Sequence, residues 1–274
     1  MKPVLVVDGD SFAHRAYHAL PKSIRRAGGR PGNLLVGLGN MLIGLWEAEQ
    51  PRAVVVGWDS LGHPTYRNQA FAGYQAGREF EDALLEQLDL APELIAAFGF
   101  ASAKAPGYEA DDFLAAAAAA IDGPVLVATS DRDAFQLVSS RVTVLRPLRG
   151  VSEIERIEPD DVRERYGVEP EQVPDFIALR GDPSDKIPGA RGVGEKTAAT
   201  LLGTYGSLEA MLEQGRFAAE ADALRLYRHI ATLDPTAPLP EIVDAEPDWA
   251  RAAALVDEWG LGRLAGRLEA ASSR

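Results

Sequence analysis

The chain contains no cysteine in its 274 residues. Disulfides and thiolate metal sites are thereby excluded, so any metal must be held by oxygen or imidazole. With only 4 histidines, oxygen is the better donor. Long apolar runs are missing as well. No stretch approaches the roughly 20 residues that span a bilayer. The opening MKPVLVVDGD breaks at Asp8, too early for the apolar region of a secretory signal. A soluble, cytoplasmic protein with no membrane association is expected. Its length and 46% hydrophobic content suit one large domain or two ordinary ones.

Acids are missing locally, although the net charge is −13. That total argues against the basic footprint of a nucleic-acid binder. Its distribution argues the other way. Residues 11–46 hold no acid but carry Arg15, Lys22, Arg25, Arg26 and Arg30. Residues 134–152 hold Arg141, Arg146 and Arg149, and residues 186–194 hold Lys186 and Arg191, again without an acid. Any one of these reads as a solvated face. Three in so acidic a chain read as segregated charge.

What is present alternates. VLVVD (4–8), AVVVGWD (53–59), PVLVATSDRD (124–133) and VTVL (142–145) read as short buried strands. Helical patterns lie between them, at 34–50, 79–98 and 109–121. Continuous apolar strands separated by helices predict an α/β domain with a parallel sheet buried on both faces. After about Glu155 only helical segments follow. The division expected is 1–155 for the α/β domain and 156–274 for a smaller helical one, with no internal repeat.

The acids are patterned too. Asp8, Asp59 and Asp131 sit at or just past the carboxyl ends of strands, the edge where ligands bind in open parallel sheets. Asp also starts turns, which alone accounts for one or two of them. GYEADDFLAAAAAA (107–120) opens a helix with Glu109, Asp111 and Asp112. Capping against the macrodipole explains these at about 0.3–1 kcal/mol each, and stands as an equal alternative in isolation. Asp133 lies on the same edge, and GDPSDKIPG adds Asp182 and Asp185. Uncompensated, such a cluster repels itself. Divalent cations such as Mg²⁺ remove the problem. A pair of them about 4 Å apart serves phosphodiester hydrolysis. In GARGVGEKTA, Gly189, Gly192 and Gly194 free the backbone to turn and to present N–H groups to a phosphate, with Arg191 and Lys196 adding charge. Alone it reads as an interhelical turn. Beside the carboxylates it reads as a grip on a DNA backbone.

These motifs together resemble the bacterial 5′–3′ exonucleases and flap endonucleases, including the N-terminal nuclease domain of bacterial DNA polymerase I. VDGDSFAHRAYHALP, VVVGWDS, TYRNQAFAGYQAGR, APGYEADDFLA, VATSDRDAFQLVS and GDPSDKIPGARGVGEKTAATLL carry the resemblance, in order, and weaker similarity covers the remainder. No polymerase domain follows, so a freestanding member is expected. The resemblance implies a PIN-like (resolvase-like) sheet with helices on both faces, plus a helix-three-turn-helix DNA-binding module. It implies two ions, Mg²⁺ or Mn²⁺, held by Asp8, Asp59, Glu109, Asp111, Asp112, Asp131, Asp133, Asp182 and Asp185, and K⁺ at the 189–194 loop. DNA is the implied partner, as 5′-flap, nicked, gapped or RNA-primed duplex, for a nucleoid-associated monomer in replication and repair. Residues expected at the DNA are Arg15, Lys22, Arg25, Arg26, Gly189, Arg191, Gly192, Gly194 and Lys196.

Two departures stand out. Gln75 occupies the place of a family lysine that contacts the scissile phosphate, which leaves Arg67 and Arg78 as candidates for that electrostatic role. The segment EFEDALLEQ (79–87) is acidic where relatives carry a basic or proline-bearing arch. A flap- or nick-binding protein with weak or no catalysis is therefore the alternative reading. A single-strand ribonuclease would not need GARGVGEKTA.

Overall fold

The computed structural model describes residues 1–60, 62–77, 79–149 and 153–272. In it the apolar runs are strands because both their faces are covered. In chain order these are β1 (Val4–Asp8), β2 (Arg25–Arg26), β3 (Arg30–Pro31), β4 (Ala53–Gly57), β5 (Ala101–Ala103), β6 (Val125–Ala128), β7 (Val142–Arg149) and β8 (Glu153–Ile157). The main sheet has the order β5-β4-β1-β6-β7-β8, while β2 and β3 form a small separate ribbon. All strands of the main sheet run parallel except β8, which returns antiparallel to β7. From β1 the chain builds outward to β4 and β5, then crosses back to β6 on the other side. That reversal opens a crevice at the carboxyl ends of β1, β4 and β6.

Alternate residues of β1 feed two cores. Val4 and Val6 pack with the alanine helix Ala110–Ala120 and the helical module beyond it. Leu5 and Val7 pack with the helices Gly9–Ala19 and Asn33–Glu49. The α/β architecture with helices on both faces is as expected. The alanine helix is thin enough to press on the sheet: a Cβ on Gly57 would meet the Ala110 carbonyl at 2.8 Å.

β5 and β8 were not expected. Both are sheet edges, ASA and EIERI, and neither carries the continuous apolar run that marks a strand buried on both faces. The division at 155/156 cuts through β8, which stays hydrogen-bonded to the sheet. The helical module comprises Pro159–Tyr166, Val173–Arg180, Glu195–Tyr205, Leu208–Glu213 and Ala221–Ala231. The last two helices, Trp249–Glu258 and Gly262–Ser272, were assigned to that module by sequence. They pack instead on the first domain, with Val256, Leu264 and Leu268 in the same core as Leu38 and Met41. Asp248 N–H donates to the Phe98 carbonyl at 2.9 Å, and Ala27 N–H to that of Trp259 at 2.7 Å. Among the described residues no helix is long and apolar enough to cross a membrane.

Candidate active site

The crevice at the strand ends is a cleft of about 930 Å³. All the predicted acids line it except Asp112 and Asp185, and Asp10 joins them. Each acid is set by its backbone position. Asp8 ends β1 and caps the next helix, accepting from Ser11 N–H at 2.9 Å and from the Thr129 hydroxyl at 2.7 Å. Burial above all, reinforced by the charges of Asp59 and Asp131, pushes its carboxyl up to about 7. Asp59, two residues past β4, accepts from Ala110 N–H at 2.7 Å, which couples it to the alanine helix. Asp131 accepts from Asp133 N–H at 3.0 Å. Asp133 is buried, and burial with the charges of Asp131, Asp185 and Asp182 holds it well above the ordinary carboxylate range.

At the head of the alanine helix Glu109 is pushed up to about 7 by burial, against the opposing pull of Arg67. Asp111 is likewise raised well above the ordinary carboxylate range, again chiefly by burial. One of its oxygens, Oδ1, is buried with no hydrogen bond and lies 3.3 Å from Arg67 Nη1. Asp112 takes a different position. It is fully buried behind the cleft, where it accepts from Arg67, from Glu109 N–H and from Asp234 N–H.

Three expectations change with the structure. Arg67 was expected at a phosphate, but its side chain is 1% exposed and does not line the cleft. Its guanidinium is consumed by Glu109, Asp112 and the Ile230 carbonyl. It positions acids and cannot reach substrate. Arg78, the other candidate, lies outside the described residues. Lys22 and Arg26, expected at DNA, are paired with Glu81 and Glu86 of the acidic 79–87 segment. That segment is no free arch. Its helix Asp82–Leu88 buries Leu84 and Leu88, and Gln87 accepts from Leu34 N–H at 2.9 Å. Arg25 remains exposed, and Arg15 is half-buried near Arg146.

The loop after Arg180 is tight. Asp182 and Ile187 exchange backbone hydrogen bonds at 2.8 Å, and Ala190 N–H donates to the Leu179 carbonyl. Gly189 has a φ of +75°, and a Cβ there would lie 2.4 Å from Gly181 N. The loop carries Asp182 into the cleft and Asp185 to its edge. Gln75, with a φ of +47°, reaches across to it: the side-chain N–H₂ donates to Asp185 at 3.0 Å and to the Tyr74 hydroxyl at 2.8 Å. Tyr74 in turn donates to Glu109 at 2.9 Å. Beyond the loop, Gly192, Gly194 and Lys196 form the entrance to helix Glu195–Tyr205; Lys196 is exposed, as is Arg191, whose N–H is held by Glu220.

Sequence reasoning missed Asp10, Tyr74 and Arg180. Asp10 is buried and accepts from Asp59 N–H at 2.7 Å, and burial with the Asp59 charge raises it well above the ordinary range. The signal was the repeated acid of VDGD, two residues past a strand end.

A resolvase-like α/β body with acids gathered at its strand ends, joined to a helical module, has the architecture of a nuclease. Residues 3–167 match the 5′-3′ exonuclease N-terminal resolvase-like domain, and residues 168–250 match the 5′-3′ exonuclease C-terminal SAM fold. The chain belongs to the 5′-3′ exonuclease family. DNA polymerase I of Mycobacterium leprae (strain TN) is 41% identical over 252 residues, covering 90% of this chain and 28% of the relative. The chain thus spans about a quarter of the length of that curated relative. The bacteriophage T5 D15 protein co-crystallised with metal ions shares the fold, with a TM-score of 0.69 at 18% identity over 98% of this chain and 99% of that one. The T5 D15 flap endonuclease in a complex with DNA and metal ions gives a TM-score of 0.67 at 18% identity, over 99% and 100%.

Proposed function

We propose that this chain is a metal-dependent, structure-specific DNA nuclease that hydrolyses phosphodiesters at 5′ ends and 5′-flap junctions. The observation that carries the reading is the convergence of Asp8, Asp59, Glu109, Asp111, Asp131, Asp133 and Asp182 on one cleft. The residues fit divalent cations by chemistry: the donors are carboxylate oxygens, Asp111 has an unpartnered buried oxygen, and the acids lining the cleft far outnumber its arginines. Among the described residues no three acids form a preassembled metal-holding group. Asp8, Asp59, Glu109, Asp131 and Asp182 each rest instead on a protein donor.

Bound there by Asp8, Asp59, Glu109, Asp111, Asp131, Asp133 and Asp182, with Asp185 at the edge, two Mg²⁺ or Mn²⁺ ions would activate water and stabilise the leaving oxygen. Asp112 acts through Arg67, holding the head of the alanine helix so that Glu109 and Asp111 face the cleft. Asp10 fixes Asp59. The Gln75–Tyr74–Glu109 chain ties the cleft to the Asp185 loop. The 189–194 glycine loop, with Arg191 and Lys196, holds duplex backbone without reading bases, and K⁺ is proposed to bind there. The T5 flap endonuclease complex with DNA supports DNA as substrate. We place the chain, as a monomer, in the cytoplasm with the nucleoid, acting in replication and repair on flapped, nicked, gapped or RNA-primed duplex.

The test is a 5′-flap DNA labelled at its 3′ end, incubated with and without Mg²⁺ or Mn²⁺, for wild type and Asp131→Ala. Metal-dependent cutting near the junction, lost in the variant, is the expected result. Tight binding without cutting in either metal would instead support a flap-binding protein, the reading favoured by Gln75 and the paired Lys22 and Arg26.

A further inference from the structure

With Arg67 buried and Gln75 neutral, the cleft needs another source of positive charge for a phosphate. Among the described residues that line it, Arg132 and Arg180 alone carry a permanent one. Arg132 is exposed, between Asp131 and Asp133. Arg180 is built in. It ends helix Val173–Arg180, and its side chain is 18% exposed. The guanidinium carbon lies 5.2 Å from the ring centre of Phe176 and 5.9 Å from that of Tyr166, which limits how it can turn.

The hydrogen bonding of Arg180 is what sets it apart. An arginine has five N–H donors. Arg180 uses one, on Asp182, at a long 3.4 Å. Its Nε is buried and has no partner. Arg67 has its donors distributed over carboxylates and a carbonyl, whereas Arg180 lines the cleft with one long bond to Asp182 and a buried Nε that no group meets. Leaving buried donors unmet is costly unless a ligand meets them. A planar fork matches the two non-bridging oxygens of a phosphodiester.

We propose that Arg180 is a phosphate-contacting cation of this site, a group that stabilises charge on the scissile phosphate from beside Asp182. The assignment rests on the nuclease reading. In the step concerned, the oxygen of water bonds to phosphorus and one P–O ester bond breaks. The proton that water loses is balanced by one taken up by the leaving oxygen. Arg180 donates to the non-bridging oxygens throughout and exchanges no proton.

The experiment measures single-turnover cleavage of 5′-flap DNA in Mg²⁺, and flap affinity by fluorescence anisotropy with Ca²⁺ in its place. Wild type, Arg180→Gln, Arg180→Lys, Gln75→Lys and the double variant Gln75→Lys/Arg180→Gln are compared, with thermal melts to report folding. Arg180→Gln is expected to cut about 100–1,000-fold more slowly, as for loss of one oxyanion donor, with affinity nearly unchanged. Lysine at 180 keeps the charge and the aliphatic stem, so it should recover at least about tenfold of that loss. Gln75→Lys should recover a similar part, by a larger factor than it gives beside an intact Arg180, a result that a packing role for Arg180 cannot produce. An Arg180→Gln enzyme as fast as wild type overturns the assignment, as does a slow, folded variant that neither lysine rescues. Should Arg180→Gln unfold, Arg180→Met, which keeps the aliphatic stem without the charge, takes its place: a rate equal to that of Arg180→Lys overturns the assignment. A wild type that binds flaps and cuts them in no metal removes the nuclease reading itself.

Discussion

Arg67 and Asp112 face each other out of reach of water, Nη2 of one 2.8 Å from Oδ1 of the other and Nη1 3.1 Å from Oδ2. The pair joins the helix Tyr66–Ala70 to the alanine helix, and through Asp234 N–H to the returning helical module. Removing one member strands a buried charge, which costs roughly 3–5 kcal/mol. Arg67→Met and Asp112→Leu should each lower the denaturant midpoint by that measure, and the double variant should lose less than the sum. Additive losses in a urea double-mutant cycle would show that the two do not act as a unit.

The raised carboxyls of Asp8 and Glu109 set the sign of the pH response. In the unfolded chain they ionise near 4, in the folded one near 7. Between those values the folded state holds the extra protons, so stability falls as pH rises through that window and levels off above about 7. With chelator present, melting temperature should drop from pH 5 to pH 8 by several degrees or so. Mg²⁺ or Mn²⁺ should raise it more at pH 8 than at pH 5, since protons no longer compete. A pH-independent metal effect in scanning calorimetry would contradict this.

Asp10 should matter without being essential to the fold. Its carboxylate fixes the Asp59 backbone at 2.7 Å, as an outer partner orients a ligand. Asp10→Asn should lose about 10–100-fold in activity or in metal affinity, with the melting temperature in metal-free buffer little changed or raised. Calorimetric titration with Mn²⁺ checks the second of these directly.

Gly189 and Gly192 both have positive φ but differ in surroundings. Nothing stands within 4 Å of a Cβ on Gly192, whereas one on Gly189 would strike Gly181. Gly192→Ala should cost roughly 1 kcal/mol of stability. Gly189→Ala should cost on the order of 3 kcal/mol or more and displace Asp182, so that cleavage falls with stability. Equal losses in parallel urea melts would place the strain elsewhere.

Gln75→Lys alone should accelerate cleavage, because a lysine there adds positive charge to a cleft dominated by carboxylates. An unchanged single-turnover rate would mean that the Gln75–Asp185 contact keeps that position away from the phosphate.

The strand-end acids were legible because an apolar run that stops at Asp declares both its burial and its exit edge, as at Asp8 and Asp59. The alanine helix was legible for a similar reason: only small residues allow Ala110 to touch Gly57. Arg67 was misread because a charged side chain is ordinarily exposed, and what buries it, Glu109, Asp112 and the Ile230 carbonyl, comes from distant parts of the chain. Lys22 and Arg26 stood in an acid-free stretch, yet their acids arrive from positions 81 and 86. Local charge counts could not register that neutralisation. Arg180 drew no expectation because a cation at a helix end is commonplace, and its unmet buried Nε marks it out.

The last two helices, which lie back on the first domain against Leu38 and Met41, change what the helical module is in mechanical terms. It is a loop of structure anchored at both stems, not a bead hung on a string. Its swing relative to the sheet is limited by two attachments, so Asp182 and Arg180 reach the cleft already aligned, and the two lobes should melt as one cooperative block.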